Sequence, residues 1–240
     1  MRDPRHDILF EPIAIGPVTA PNRFYQVPHC NGMGRTFPNA MIAMRETKAE
    51  GGWGIVATEQ CDFHVTSDIL PYTETNLFDE GDELYLGRMV EGVHRHGSLA
   101  SIELAHSGQD SGNLYSREVP IGPAHRPVSA SRHPIQARAM DRADIADYRR
   151  WHRRAALRSR DMGFDMVVVY AGHNNTVPGQ FFYKRHNDRS DEYGGSLENR
   201  LRLLRALIED TKDAVGDTMA VVVRMAVDEL MGPDGLEWQN

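Results

Sequence analysis

Five short runs of β-branched and apolar residues, each followed by a polar or glycine-containing loop, constrain this chain more than any other feature. Arg23–Val27, Trp53–Thr58, Leu99–Leu104, Met166–Val169 and Met219–Val223 read as strands. Met166–Val169 has no polar interruption, as in a strand covered on both faces. Helical spacing falls between the strands, over Ala40–Gly51, Glu80–His96, Asp141 to about Met162, and Ser196–Val215. Asp141 and Ser196 stand as N-caps. Expected inward stripes are Leu86, Met89, Val90 and Val93; Ile145, Tyr148, Trp151 and Ala155; and Leu197, Leu201, Leu204 and Ile208.

Strand–helix alternation favours a parallel α/β fold, either a (β/α)8 TIM barrel or an open doubly wound sheet. No G-x-G-x-x-G follows the first strand, which weakens the dinucleotide-binding alternative. Ile8–Val18, with its Gly16-Pro17 turn signal, reads as an N-terminal β-hairpin at the closed end of the barrel. A barrel typically takes about 250 residues for eight strands. Here five strands use nearly all of the 240 residues, so the expectation is a barrel truncated after about strand 5. Two long segments, Gln109–Met140 and Asn174–Gly195, read as loops without periodicity.

Charge and cysteine content narrow the function classes. The formal net charge is −7, with 27 Lys+Arg against 34 Asp+Glu, which argues against a nucleic-acid footprint and a basic membrane patch. No apolar run approaches the ~20 residues that span a bilayer. Met1–Asp7 is charged and lacks an apolar run behind it, so a cytoplasmic location is expected. Cys30 and Cys61 suit a reducing compartment, and two cysteines cannot ligate a four-cysteine iron–sulfur cluster.

Polar chemistry gathers where the strands end: His29 and Cys30, Glu59 and Gln60, Glu103 and His106, Tyr170 and His173, Arg224 and Asp228. In parallel barrels that end carries the chemistry. Each residue also has a plain structural reading. Tyr170 could close the barrel top, Cys30 could be an inert thiol, and Glu103 and Arg224 could simply pair. Convergence from five strands favours a site. No H-E-x-x-H and no G-x-S-x-G occurs, so neither a metal site nor a triad hydrolase is expected.

The run from Arg189 to Arg202, RSDEYGGSLENRLR, resembles the R-x-D-x-Y-G-G-S-x-E-N-R-x-R signature of the Old Yellow Enzyme (NADH:flavin oxidoreductase) family of FMN-dependent barrels. The opening LFEPIAIGPVTAPNR and the ELAHSG after the third strand are similar too. NRFYQVPHCNG, KAEGGW, DEGD and RSRDMGFD resemble the branch containing trimethylamine, dimethylamine and histamine dehydrogenases, from Arg2 to about Pro233. The resemblance implies that residues 1–240 are an incomplete FMN-binding TIM-barrel domain of an amine dehydrogenase. It implies FMN bonded through its C6 to the Cys30 sulfur, with Val27, Pro28 and His29 in contact with the flavin. It places Glu103 near the pyrimidine edge and Arg224 near N1, where reduction builds negative charge. Tyr170 and His173 match the branch's substrate-side pair. Gln60 and Ala105 stand where the trimethylamine enzyme has Tyr and Trp, which points to a secondary amine or a histamine-like amine rather than trimethylamine. For the full-length protein the resemblance further implies a [4Fe–4S] cluster, ADP, an electron-transferring flavoprotein as acceptor, and a homodimer. The alternative on the same barrel is an NAD(P)H-dependent ene-reductase.

Overall fold

The computed structural model describes residues 3–68, 74–128, 134–232 and 235–236. Five parallel strands form a curled half-barrel: β1 (Tyr25–Gln26), β2 (Ile55–Asp62), β3 (Leu99–Ala105), β4 (Met166–Ala171) and β5 (Ala220–Met225). Neighbours in the sheet are neighbours in sequence, in the order β1-β2-β3-β4-β5. A doubly wound sheet would reverse its strand order at a switch point. Helices α1 (Pro38–Glu50), α2 (Glu80–His94), α3 (Arg142–Asp161), α4 (Val177–Phe182) and α5 (Leu197–Val215) connect the strands. Thr75–Asn76 pairs with the end of β2.

Local chemistry fixes the helix ends. Asp79 and Asp141 each start a helix with a reciprocal capping box, through Asp82 and Asp144 respectively. Ser196 Oγ accepts from the Asn199 N–H to start α5.

The period of two along each strand separates the faces. On the helix side, Val56, Cys61, Ile102, Leu104, Val167 and Val169 lie in the main apolar core. On the inner side a smaller cluster of Ile55, Met166 and Ala220 is floored by Ile13, Ile15, Val18 and Ala20. Those floor residues belong to an antiparallel pair, Ile13–Ile15 with Val18–Ala20, around the Gly16 turn. Above the floor the inner face turns polar.

Several boundaries differ from the sequence expectation. Ile8, Leu9 and Phe10 belong to a 3-10 helix, Pro4–Phe10, started by Asp3 as N-cap, and not to a hairpin strand. The second strand runs past Thr58 to Asp62, so Glu59, Gln60 and Cys61 lie within it. An irregularity between Ala57 and Gln60 shifts the register there. The segment 109–140 holds a small sheet made by Ile121–Gly122, Arg126–Pro127 and Gln136–Ala139, and the segment 174–195 holds α4. The inward stripe of α5 is Arg200, Leu203, Leu204, Leu207, Thr211, Ala214 and Val215. Leu197 is exposed, because the polar Arg200 and Thr211 occupy inward positions that an apolar-only pattern skips.

Candidate active site

The register places Gln60 opposite Glu103, Glu103 opposite Val168, and Tyr170 opposite Arg224. Residues two apart on a strand share a face, so Gln60, Glu103, Tyr170 and Arg224 all belong to the inner side. Glu103 is buried and accepts two hydrogen bonds from Arg224 Nη1, at 3.1 and 3.0 Å. Burial raises the Glu103 carboxyl to about 7, although the Arg224 charge pulls the other way. Burial opposes the charge on Arg224, but the Glu103 charge and hydrogen bonds leave its pKa raised overall. The Arg224 Cζ sits 5.0 Å from the centroid of the buried Tyr170 ring, a cation–π distance.

Beyond β4 the chain turns back sharply. His173 and Asn174 take left-handed φ values of 53° and 64°. Residues other than glycine adopt these at a cost, and such conformations gather at functional sites. A Cβ on Gly172 would stand 3.1 Å from Tyr170 Cε2, so glycine lets this turn lie against the ring. The turn brings His173 Nδ1 into hydrogen bonding with the Tyr170 hydroxyl, and Arg224 Nη2 lies 3.5 Å from the same nitrogen. A guanidinium only donates. Nδ1 is therefore the acceptor nitrogen, and the neutral ring carries its proton on Nε2. Burial and the Arg224 charge both lower the His173 pKa, favouring the neutral form. Burial, with the Glu103 charge, raises the Tyr170 phenol and keeps it protonated.

The β1 side differs. Val27 is 53% exposed, Pro28 is buried, and His29 and Cys30 are exposed. Cys30 Sγ and one carboxylate oxygen each of Glu59 and Glu74 lie within 4.8 Å of one another. Both Glu59 oxygens are already engaged, by the Asn31 N–H at 3.0 Å and Thr75 Oγ1 at 2.8 Å. The residue Cys30 is exposed, yet partial burial of its thiol, followed by the Glu74 charge, pushes the pKa up to about 12. The other thiol, Cys61, is buried on the helix side.

Gln60 donates from Nε2 to Asp62 Oδ1 and to Ser107 Oγ, each at 3.2 Å. Two strand-end residues do not join this group. His106 is fully buried among Phe63, Tyr148 and Trp151, bonded to Thr66, and burial lowers its pKa to about 3. Its ring fills the outer core, because it lies two residues beyond Leu104 and so continues the helix-side face of β3. Asp228 accepts from the Leu230 N–H in its own turn.

Supporting residues escaped sequence reasoning. Arg45 is fully buried on α1; it donates to Gln26 Oε1 at 3.1 Å and to the His29 carbonyl at 2.8 Å, and so holds the loop before Cys30. Its signal is spacing: Met41, Arg45 and Ala49 fall on one helical stripe. Glu74 lies far from Cys30 in sequence, and no local pattern marks it.

The donor set suits a flavin ring. The Arg224 guanidinium and the Glu103 carboxyl can match the hydrogen-bonding pyrimidine end, and an exposed apolar Val27 beside a thiol offers a surface for the flat remainder. In such barrels the phosphate is frequently held by loops after strands seven and eight, so these five strands would be left with ring contacts.

Residues 8–239 match the NADH:flavin oxidoreductase / NADH oxidase family. The chain is 43% identical over 241 residues to the dimethylamine dehydrogenase of Hyphomicrobium sp. (strain x), covering 98% of this chain and 33% of that protein. Among solved structures it is similar to histamine dehydrogenase from Rhizobium sp. 4-9, with TM-score 0.92 and 48% identity over 96% of this chain and 34% of that one. It is also similar to 6-hydroxypseudooxynicotine amine oxidase from Pseudomonas geniculata N1, with TM-score 0.91 and 51% identity over 95% of this chain and 34% of that one. The chain thus spans about a third of the length of these relatives.

Proposed function

The chain belongs to the NADH:flavin oxidoreductase / NADH oxidase family, and on that premise we propose that residues 1–240 form part of the FMN-binding barrel of an amine dehydrogenase. The observation that carries this reading is the joined cluster Glu103–Arg224–His173–Tyr170 on the inner rim, at the same end of the parallel sheet as the loop that carries Cys30. Val27, Pro28, His29, Glu103 and Arg224 would hold FMN, with Cys30 as its covalent anchor. FMN, when bound, supplies the two-electron acceptor for the carbon next to the amine nitrogen.

The chain's own residues manage charge and protons. Arg224, fixed by Glu103, brings a permanent positive charge to the rim. Tyr170 donates to His173 Nδ1. A proton leaving a bound ammonium at the phenol oxygen therefore has a relay to that nitrogen. This matters because an amine must lose its proton before its lone pair can assist oxidation. Gln60 offers a hydrogen bond to a substrate N–H, which favours a secondary or histamine-like amine over trimethylamine. In the complete protein the electrons would pass to a [4Fe–4S] cluster and on to an electron-transferring flavoprotein. The complete protein would also bind ADP and work as a cytoplasmic homodimer.

Anaerobic titration of the full-length protein tests the reading. Dimethylamine or histamine should bleach the flavin absorbance, and NADPH should not. Bleaching by NADPH alone would replace this reading with an ene-reductase.

A further inference from the structure

The side chain of Gln60 sits in a closed ring of hydrogen bonds whose direction can be traced from one unambiguous donor. The Ser107 backbone N–H can only donate, and it does so to Ser67 Oγ at 2.8 Å. Ser67 Oγ then donates its own proton to Asp62 Oδ1 at 2.8 Å. Asp62 Oδ1 is thus an acceptor, and the atom of Gln60 that meets it must carry hydrogen. That atom is Nε2, 3.2 Å away, and its second hydrogen points to Ser107 Oγ, also at 3.2 Å. Both amide hydrogens are spent inside the ring. Gln60 Oε1 is left as the amide's acceptor, on the strand position that pairs with Glu103.

Every member of this ring is buried. Ser67 and Ser107 are fully covered, Asp62 is 2% exposed and Gln60 5%. A free glutamine presents a donor or an acceptor by rotating its amide through half a turn. Here that rotation would set Gln60 Oε1 against Asp62 Oδ1, two acceptors in a buried place, at a cost of roughly 1–3 kcal/mol. The amide is locked. Asp62 achieves this from two residues further along β2, on the same inner face.

We propose that Asp62 is a positioning residue that fixes Gln60 as an acceptor, so that the rim selects amines carrying an N–H. This rests on the amine-dehydrogenase reading above. An amine without an N–H when neutral, such as trimethylamine, leaves Oε1 unpaired; dimethylamine pairs with it. Sites built around a buried hydrogen-bonding group discriminate strongly against the analogue that cannot satisfy it. Burial also raises the Asp62 carboxyl well above the usual range, with the Ser67 and Gln60 hydrogen bonds opposing; a proton it holds belongs on Oδ2, because Oδ1 accepts from both Ser67 and Gln60, so an amide is a fair stand-in for it.

The test is the ratio of kcat/KM for dimethylamine to kcat/KM for trimethylamine, measured on the full-length flavoprotein. Asp62→Leu should lower this ratio by about tenfold, the scale of one hydrogen bond. Asp62→Asn, which keeps an acceptor in place, should restore the ratio to within about threefold of the parent. Ser67→Ala, a gentler change, should lower it in the same direction by roughly threefold. If Asp62→Leu fails to fold, judged by its flavin spectrum, the Ser67→Ala and Asp62→Asn pair decides alone. An unchanged ratio in Ser67→Ala, or an equal loss in Asp62→Asn and Asp62→Leu, would overturn the proposal. A parent protein that oxidises neither these amines nor histamine would instead sink the amine-dehydrogenase reading, whatever the variants do.

Discussion

On the side of β3 that meets the helices, Ile102 and Leu104 lie in an apolar core; on the opposite side, Ser101 bonds Tyr25 and Glu103 bonds Arg224. The two sets interleave along seven residues of one strand. Strand β4 repeats the contrast, with Val167 and Val169 outward and Tyr170 inward. The outward face depends on volume and hydrophobicity, so its residues are interchangeable within limits. The inward face depends on pairing, because each buried polar group needs a specific partner. The fold can thus be robust while its rim tolerates little change.

The sharpest way to break this contrast is to cut into each face separately in the full-length protein. Leu104→Ala should cost about 3 kcal/mol through lost burial and a cavity. Its urea midpoint should fall while the dimethylamine-to-trimethylamine ratio stays put. A changed ratio would show that the faces are not independent.

A somewhat smaller effect is expected inside. Arg224→Leu leaves Glu103 buried without its cation, which should cost about 2 kcal/mol at pH 8, less than for a wholly buried pair because Arg224 is partly exposed. At pH 5 the same change should cost less than about 1 kcal/mol, since Glu103 is then protonated and needs no counter-charge. Equal losses at both pH values would mean that packing, not charge, holds the pair.

Glu103 also gives the wild-type protein a pH signature. Its carboxyl is raised from an ordinary 4.5 to about 7, chiefly by burial. Between those values the folded state holds a proton that the unfolded chain has released. Stability from this group is therefore full below about 4.5, falls as pH rises toward 7, and levels off above. Glu103→Gln should flatten that part of the profile of thermal midpoint against pH; a profile identical to wild type would remove Glu103 as the cause.

The smallest effect belongs to neither face. Asp141→Ala removes the capping box of α3 and should cost about 1 kcal/mol, with no change at the rim. A loss several times larger would tie the helix start to the site.

Much of this architecture is legible in the amino-acid sequence. The β-branched runs and the Asp141 and Ser196 caps place the strands and helices closely, because burial on both faces and an orphaned helix N-terminus each leave a local mark. The polar residues at the strand ends are legible for the same reason, since inner positions continue the period-two pattern past the apolar part of the strand. The less legible features depend on contacts distant in sequence. Asp62 and Ser107 are 45 residues apart but share Gln60, and Arg45 reaches His29 across a turn and a helix. His106 reads as a rim residue from its place after the strand, but it continues the alternation of Ile102 and Leu104, which carries its ring into the outer core. The irregularity at Ala57–Gln60 moves the end of β2 for a similar reason: a bulge adds a residue without any compositional signal.

The chemistry proposed for the rim requires FMN to sit between the Cys30 loop and the Tyr170–Arg224 pair. Acid precipitation of the full-length protein, followed by mass spectrometry of its peptides, addresses that directly. The expected result is flavin retained in the pellet and attached to the peptide containing Cys30, with Cys61 unmodified. Flavin released entirely into the supernatant, with Cys30 free to be alkylated, would contradict the covalent seat at the rim.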